Sequence, residues 1–432
     1  MMPITATTAT PNPFQYHFTL HPRIYIAPHT PKPIHPIDAD PHKQIWSSIP
    51  WGNDFDDIRG ADDAPSQSDR PNSKCTTKVK MTWDEKYLYI LALIESDFEI
   101  TATFNERNAP IYQQDSDFEV FLDPSGCCQH YKELELNAIN TVWNLMLDKT
   151  YWDGGQEHSG RIAKPGDELY YEVSDQITAV KILEGSINNS SELPQRNTWV
   201  VEMALSHYDT LKHGAKRGGT AINMKNIPSE DIKGIKTPVI GDRWRINFSR
   251  VENKGDINWT WQKQKVWDPT LHKHVGKVNM HLPDAWGYVQ FGPSLDQVVE
   301  AENFSSSTGA GEISTNDIQK NGKGDLLWPL KLTVANMYYA QKQYQQEHDN
   351  KYTADLNDLQ PYLDADIMKP FHSSLVSSSS PFGMKLTCSD SNTEFSFKVY
   401  DSLGVYWVSI TDKRLIEVGK DDKSSIQVKD QR

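Results

Sequence analysis

Residues 115–135 carry Asp115, Asp117, Glu119, Glu133 and Glu135, a density of carboxylates that three chemistries would use. Two carboxyl groups at the right separation hydrolyse a glycosidic bond. Several together coordinate calcium, which takes about six to eight oxygen ligands. Carboxylates beside amides and guanidinium groups bind the hydroxyls of a sugar, which want paired donors and acceptors.

Alternation decides which of these groups share a face. Over 118–123, Phe118, Val120 and Leu122 oppose Glu119, Phe121 and Asp123. Over 131–138, Lys132, Leu134, Leu136 and Ala138 oppose Tyr131, Glu133, Glu135 and Asn137. Over 243–251, Trp244, Ile246, Phe248 and Arg250 oppose Arg243, Arg245, Asn247 and Ser249. Three strands thus offer one apolar face and one face of carboxylate, amide and guanidinium. Glu119, Glu135, Asn137, Arg245 and Asn247 are the candidate hydroxyl ligands on the polar face. Tyr112, Tyr131, Trp143, Tyr151, Trp152, Trp259, Trp261 and Trp267 follow or precede these runs and supply flat rings for the C–H face of a sugar. A competing reading closes Glu119, Glu135 and Arg245 into a buried ion-pair network with no site at all. Asp115, Asp117 and Asp123, with Asp54, Asp56 and Asp57, are candidate calcium ligands against the plainer reading of solvated loop acids. His272, His274, Met280 and His281 read as a polar loop rather than a haem or metal site.

The elements that position these groups are strands. VKMTW, Asp84-Glu85-Lys86 and YLYILALI read as a hairpin. FEVFLD at 118–123, YKELELNA at 131–138, ITAVKIL at 177–183, TWVVEMAL at 198–205, RWRINFSRV at 243–251 and WGYVQF at 286–291 follow, with turns between them. No long periodic helix intervenes, so the pattern predicts a mainly β fold, an antiparallel β-sandwich of jelly-roll or immunoglobulin-like type. A small α+β unit follows. Residues 327–348 show helical spacing with Pro329 in the first turn, and FSFKVY and VYWVSIT read as a hairpin. The expected organisation is a disordered Pro-rich leader over 1–36, the sandwich over 37–293, a Ser/Gly-rich linker over 294–325, the α+β unit over 326–419 and a charged tail over 420–432.

Composition narrows the partners. The formal charge of −14 argues against nucleic acid, whose phosphates need a basic surface. No apolar run approaches the ~20 residues that span a bilayer, so no membrane partner is expected. Residues 1–36 hold no apolar h-region, which reads as the absence of a signal peptide and a cytoplasmic chain. Four cysteines, Cys75, Cys127, Cys128 and Cys388, are too few for a disulfide framework and read as reduced thiols. There is no GxSxG, GxxxxGK[ST], HExxH or GxGxxG, so no catalytic motif is present.

The order VKMTWDEKYLYILALIE, DSDFEVFLDP, YKELELNA, TWVVEMAL, GDRWRINFSRVE and DAWGYVQF resembles a family 9 carbohydrate-binding module, over residues 37 to 293. The resemblance implies a β-sandwich that binds mono-, oligo- or polysaccharide, often with structural calcium, and no organic cofactor. It implies a sugar held between two aromatic rings over polar groups. The first ring falls at or next to Tyr112; the second falls near Met280, which is not aromatic, with Trp267 and His281 as nearby substitutes. Glu119 and Asn137 fit the family's polar positions, whereas Glu135 stands where the family has an arginine. Association with such modules also implies an alternative function, O-glycosyl hydrolysis in carbohydrate catabolism by the strand carboxylates. A third reading is an interaction scaffold that has lost its ligand.

Overall fold

In the computed structural model the described residues are 12–64, 66, 70–72, 74–189, 196–216, 237–252, 254–295, 311–312, 324–371 and 383–421. Most strands come from the alternating runs above. They are β1 (Ile24–His29), β2 (Asp56–Asp57), β3 (Thr77–Trp83), β4 (Tyr87–Ser96), β5 (Asp117–Asp123), β6 (Tyr131–Asn137), β7 (Val142–Leu147), β8 (Glu157–Ser159), β9 (Gln176–Glu184), β10 (Asn197–Ser206), β11 (Arg243–Glu252), β12 (Ile257–Thr260), β13 (Lys265–Asp268), β14 (Lys273–Gly276), β15 (Gly287–Ser294) and β16 (Gly311–Glu312). The main sheet runs β8-β7-β6-β5-β11-β15-β1-β3-β4-β10-β9. It folds over so that its two limbs face each other across one core. Phe118, Val120, Leu134, Leu136, Ile246 and Phe248 from one limb pack with Val79, Met81, Leu88, Ile90, Val201 and Met203 from the other. Burying these aliphatic and aromatic side chains supplies most of the stabilisation, at about 25 cal/mol per Å². The structure is thus a mainly β sandwich.

Strand β1 corrects the expected leader. Residues 24–29 lie inside the sheet, parallel to β15 with Ile24 beside Tyr288, and His29 pairs with Trp83 of β3. Two parallel partners allow a central strand that is apolar on both faces, and IYIA is such a run. Gly311–Glu312, within the expected linker, also pairs with β1. Residues 1–11, most of 294–325 and the tail beyond 421 lie outside the described residues.

The outer face of β4 and β10 is covered by residues 34–49, including the short helix α1 (Gln44–Ser48). Trp46 and Ile49 pack there on Tyr89, Leu91, Val200 and Ala204. The C-terminal unit has the helix α2 (Trp328–Glu347) and an antiparallel sheet of β17 (Met384–Cys388), β18 (Phe395–Tyr400), β19 (Tyr406–Thr411) and β20 (Ile416–Lys420). Val334, Met337 and Tyr338 of α2 pack on Phe397, Val399 and Val408. The same apolar cluster takes in Trp267, Leu282 and Ala285 of the sandwich, so the two units share a core. Residues 273–276, within the 271–281 stretch expected as a polar loop, form β14 and pair with β13 as a hairpin. All four cysteines are free thiols.

Candidate functional site

The polar face of β5 and β6 is the floor of an open cleft of about 360 Å³. Pairing register sets the floor. Glu119 lies directly opposite Glu135, and Phe121 opposite Glu133. On the next strand Trp143 stands opposite Glu135 and Leu145 opposite Glu133. The walls are Tyr112, Tyr151, Arg161, Asn258, Asn279, Met280 and His281.

Tyr112, Phe121, Trp143, Tyr151 and His281 bring rings to this cleft. Tyr112 stacks on Trp143, with centroids 5.7 Å apart and planes at 24°. Tyr151 meets His281 edge-on at 4.7 Å. Tyr112 is 39% exposed and Tyr151 48% exposed, so ring surface is open to solvent. Arg161 lies over the Trp143 ring at 5.1 Å and pairs with Glu157. Tyr151 sits on a single turn, Tyr151–Asp153, closed by Gly154 at φ 74. Gly155 then passes so near Lys149 that any Cβ would fall 1.9 Å from its carbonyl oxygen.

The floor is acidic. Asp117, Glu119, Glu133 and Glu135 are all buried. Desolvation pushes the Glu119 pKa up to about 7. Desolvation first, and neighbouring carboxylates second, hold Asp117, Glu133 and Glu135 well above the usual carboxylate range. Like charges opposed across a ladder repel, so protons are retained: Glu135 donates to Glu133. His281 lies 4.0 Å from Glu133, but burial lowers its pKa to about 4, so it is neutral at pH 7. Its Nδ1 is 3.0 Å from the Tyr131 hydroxyl. Asp117 Oδ2, Glu135 Oε2 and Trp143 Nε1 have no hydrogen-bond partner among the described residues. Asp117, Glu119 and Glu135 each offer an oxygen within 4.8 Å of the others.

Of the residues singled out in the sequence, Tyr112, Glu119 and Glu135 meet at this cleft. Four others do not join them. Asn137 is turned into loop support: its Nδ2 donates to the Phe104 carbonyl and to Asp115, and its Oδ1 accepts from the Thr141 N–H. Asn247 braces residue 262 through both the backbone N–H and the carbonyl of Gln262. Arg245 is separated from Glu119 by two positions on its own strand face, and Phe121 and Trp286 pack together in the cluster between. It forms no ion pair with Glu119 or Glu135, which also removes the buried-network reading. Trp267 packs against the C-terminal unit and donates from Nε1 to the Tyr362 carbonyl at 2.7 Å. The expectation that these four share a saccharide surface with Tyr112 is therefore corrected.

The metal candidates divide in the same way. Asp115 accepts from Thr103 N–H, Thr103 Oγ1, Phe104 N–H and Asn137. Asp123 accepts from the Ser125, Gly126 and Cys128 N–H groups. Both are tied to their turns. Only Asp117 of that trio enters a cluster able to hold an ion. Asp57 chelates Arg59 and Asp56 pairs with Arg70.

Trp143 and Tyr151, among the rings the sequence offers, also line the cleft, together with Glu133 and His281, which were not counted among the hydroxyl ligands. Glu133 was legible from its face. Trp143 required β7 to be recognised, and Tyr151 and His281 reach the cleft from loops.

The carbohydrate family 9 binding domain-like family matches residues 37–227. A family 9 carbohydrate-binding module from Caldicellulosiruptor kristjanssonii in complex with cellotriose is similar at 15% identity, with 63% of this chain and 95% of that chain covered and a TM-score of 0.33. The same organism's module in complex with glucose covers 63% and 97%, again at 15% identity and TM-score 0.33. A protein from Bacteroides uniformis covers 62% and 99% at 12% identity, with a TM-score of 0.40. No curated protein matches the chain.

Proposed function

We propose that this chain, whose residues 37–227 are similar to carbohydrate family 9 binding domains, binds a saccharide in the β5–β6 cleft without turning it over. One observation carries the reading: solvent-open rings of Tyr112 and Tyr151, with Trp143, stand over a floor of buried carboxyl groups in a cleft large enough for one or two sugar units. A pyranose offers C–H faces to rings and hydroxyls to acids. Carboxyls that hold protons can donate as well as accept, which is what a hydroxyl array needs. Binding is favoured over hydrolysis because Glu119, Glu133 and Glu135 all rise from one floor on paired strands. A glycosidase sets its two carboxyl groups on either side of the scissile bond. The open cleft equally disfavours a scaffold that has lost its ligand.

Calcium, if this chain uses it, suits Asp117, Glu119 and Glu135 rather than Asp115 or Asp123, because Asp117 Oδ2 and Glu135 Oε2 take no hydrogen bond, whereas both oxygens of Asp115 and of Asp123 accept from backbone N–H groups. Three carboxyl groups leave positions for water or sugar hydroxyls. The free thiols suit a reducing compartment. No described helix is long and apolar enough to cross a membrane.

Isothermal titration of the whole chain with mono-, di- and oligosaccharides, their alditols as controls, and with and without calcium, tests the reading. Saturable heat with a sugar and no release of reducing ends supports it. Cleavage of aryl glycosides that is lost in Glu119→Gln, or no heat across the panel, overturns it.

A further inference from the structure

A second cavity, of about 500 Å³, lies between the sandwich and the C-terminal unit. It is built independently of the cleft. Its walls come from residues 19–23, from Arg245 on β11, from residues 261–267 and from α2. Most of its charged lining is already matched. Lys331 closes on Asp325 at 2.6 Å, Lys265 on Asp63 at 3.1 Å, Arg23 on Glu312 at 3.4 Å and Asp284 on Arg414 at 2.7 Å. His21 is held neutral by burial, with its pKa lowered to about 4.

Two cations remain without an ion pair among the described residues, although Asp56 and Asp62 stand near the second, Lys263. Arg245 is only 3% exposed. Its guanidinium lies 4.2 Å from the Tyr288 ring and 5.5 Å from that of Trp328, and its one described hydrogen bond goes from Nη1 to the Trp286 carbonyl. A buried guanidinium with most of its fork unspent is costly unless something accepts from it. Lys263 stands at the rim, where burial and the neighbouring Lys265 lower its pKa. A third group points the same way. Asn336 of α2 is 1% exposed and lines the cavity. Its Oδ1 accepts from the Asp364 N–H at 3.2 Å, which fixes the amide so that Nδ2 is a donor, and that donor has no partner among the described residues.

The rest of the lining is flat and apolar. Trp261, Trp267 and Trp328 each commit the indole N–H away from the cavity, to Glu312, the Tyr362 carbonyl and the His17 carbonyl. The cavity thus combines ring faces with unspent donors. Asp56, Asp62 and Asp284 also line it, which disfavours a doubly charged guest.

We propose that this inter-unit cavity binds a small organic monocarboxylate, its carboxylate held by the Arg245 fork, the Asn336 amide and Lys263, and its body packed against the tryptophan rings. An Arg fork and one amide donor match a planar oxyanion. The fit is to one charge, so phosphate binds less well.

Titration of the full chain at pH 7 with benzoate, glucuronate and inorganic phosphate tests this. The expected result is saturable one-to-one heat with a carboxylate and weaker binding of phosphate. Asn336→Asp keeps the Oδ1 acceptor but turns the donor into an anion, and should weaken carboxylate binding by at least about tenfold. Lys263→Met, at the rim, should weaken it by a smaller factor. Arg245→Lys should abolish it if that variant folds; the other two decide the matter if it does not. The proposal is overturned if neither carboxylate gives saturable heat, if phosphate binds more tightly than both, or if Asn336→Asp and Lys263→Met bind as the parent does.

Discussion

Glu119 meets Glu135 across the β5–β6 ladder, and burial moves its pKa from the ordinary 4.5 to about 7. Between those two values the folded chain holds a proton that the unfolded chain has released. Stability therefore declines as pH rises from about 4.5 to about 7, and is greatest on the acid side of that window. The size of the effect is on the order of 2–4 kcal/mol, at about 1.4 kcal/mol per pH unit. Glu119→Gln cannot ionise, so it should be more stable than the parent at pH 8 and flatten the profile. Denaturant midpoints at pH 5 and pH 8 check this; an unchanged pH profile in the variant would show that another group governs it. At the same scale, Tyr151→Ala removes an exposed ring from the cleft and should weaken saccharide binding by about tenfold, with little change in stability. Titration of the variant with the tightest sugar of the panel reads the outcome, and equal affinity would remove Tyr151 from the site.

Strand alternation made the elements legible, because period two is written directly in 118–123, 131–138 and 243–251, and inward residues such as Phe118, Leu134 and Phe248 form the core. Face assignment went further than position along the face. Asn137 and Asn247 are consumed by neighbouring loops, Arg245 lines the cavity beside the C-terminal unit instead of the cleft, and no periodic signal encodes a loop's path. Strand β1 was hidden by the prolines around it, since its parallel partners β15 and β3 are distant in sequence. Another long-range tie is Glu202 of β10, fully buried. It accepts from the Asp38 and Ala39 N–H groups, Trp46 Nε1 and Lys43 Nζ, and so fastens residues 38–46 across the sheet. Glu202→Ala orphans the Asp38 and Ala39 N–H groups and the Trp46 indole N–H, while Lys43 keeps Asp38. The expected loss is about 3–5 kcal/mol, read from chemical denaturation together with faster amide exchange over residues 38–49. A loss below about 1 kcal/mol would mean that apolar packing of Trp46 alone holds this segment.

At the scale of the whole molecule, Arg414 connects the C-terminal unit to the wall of the cleft. It is fully buried in the β19–β20 turn and bonds to Asp153 at 3.1 Å, Asp284 at 2.7 Å and the Tyr339 hydroxyl at 2.9 Å. Tyr338 and Lys342 of α2 also reach Asp153. Asp153 ends the turn that presents Tyr151, so a unit outside the sandwich sets the stance of a cleft ring. Two consequences follow from that geometry and from the core shared through Trp267 and Leu282. Both units should unfold in one transition, because neither can leave without exposing the common cluster. Arg414→Met should cost about 3–5 kcal/mol by taking the buried guanidinium from Asp284, which keeps Tyr339, and from Asp153, which keeps Lys342, Tyr338 and Thr150, and should weaken saccharide binding although the residue touches no ligand. Calorimetry and sugar titration of the same variant separate the two effects. A destabilised variant that binds sugar with parental affinity would show that the Tyr151–Asp153 turn, with Gly154 and Gly155, holds its shape unaided, and the C-terminal unit would then be a stabilising partner with no hand in recognition.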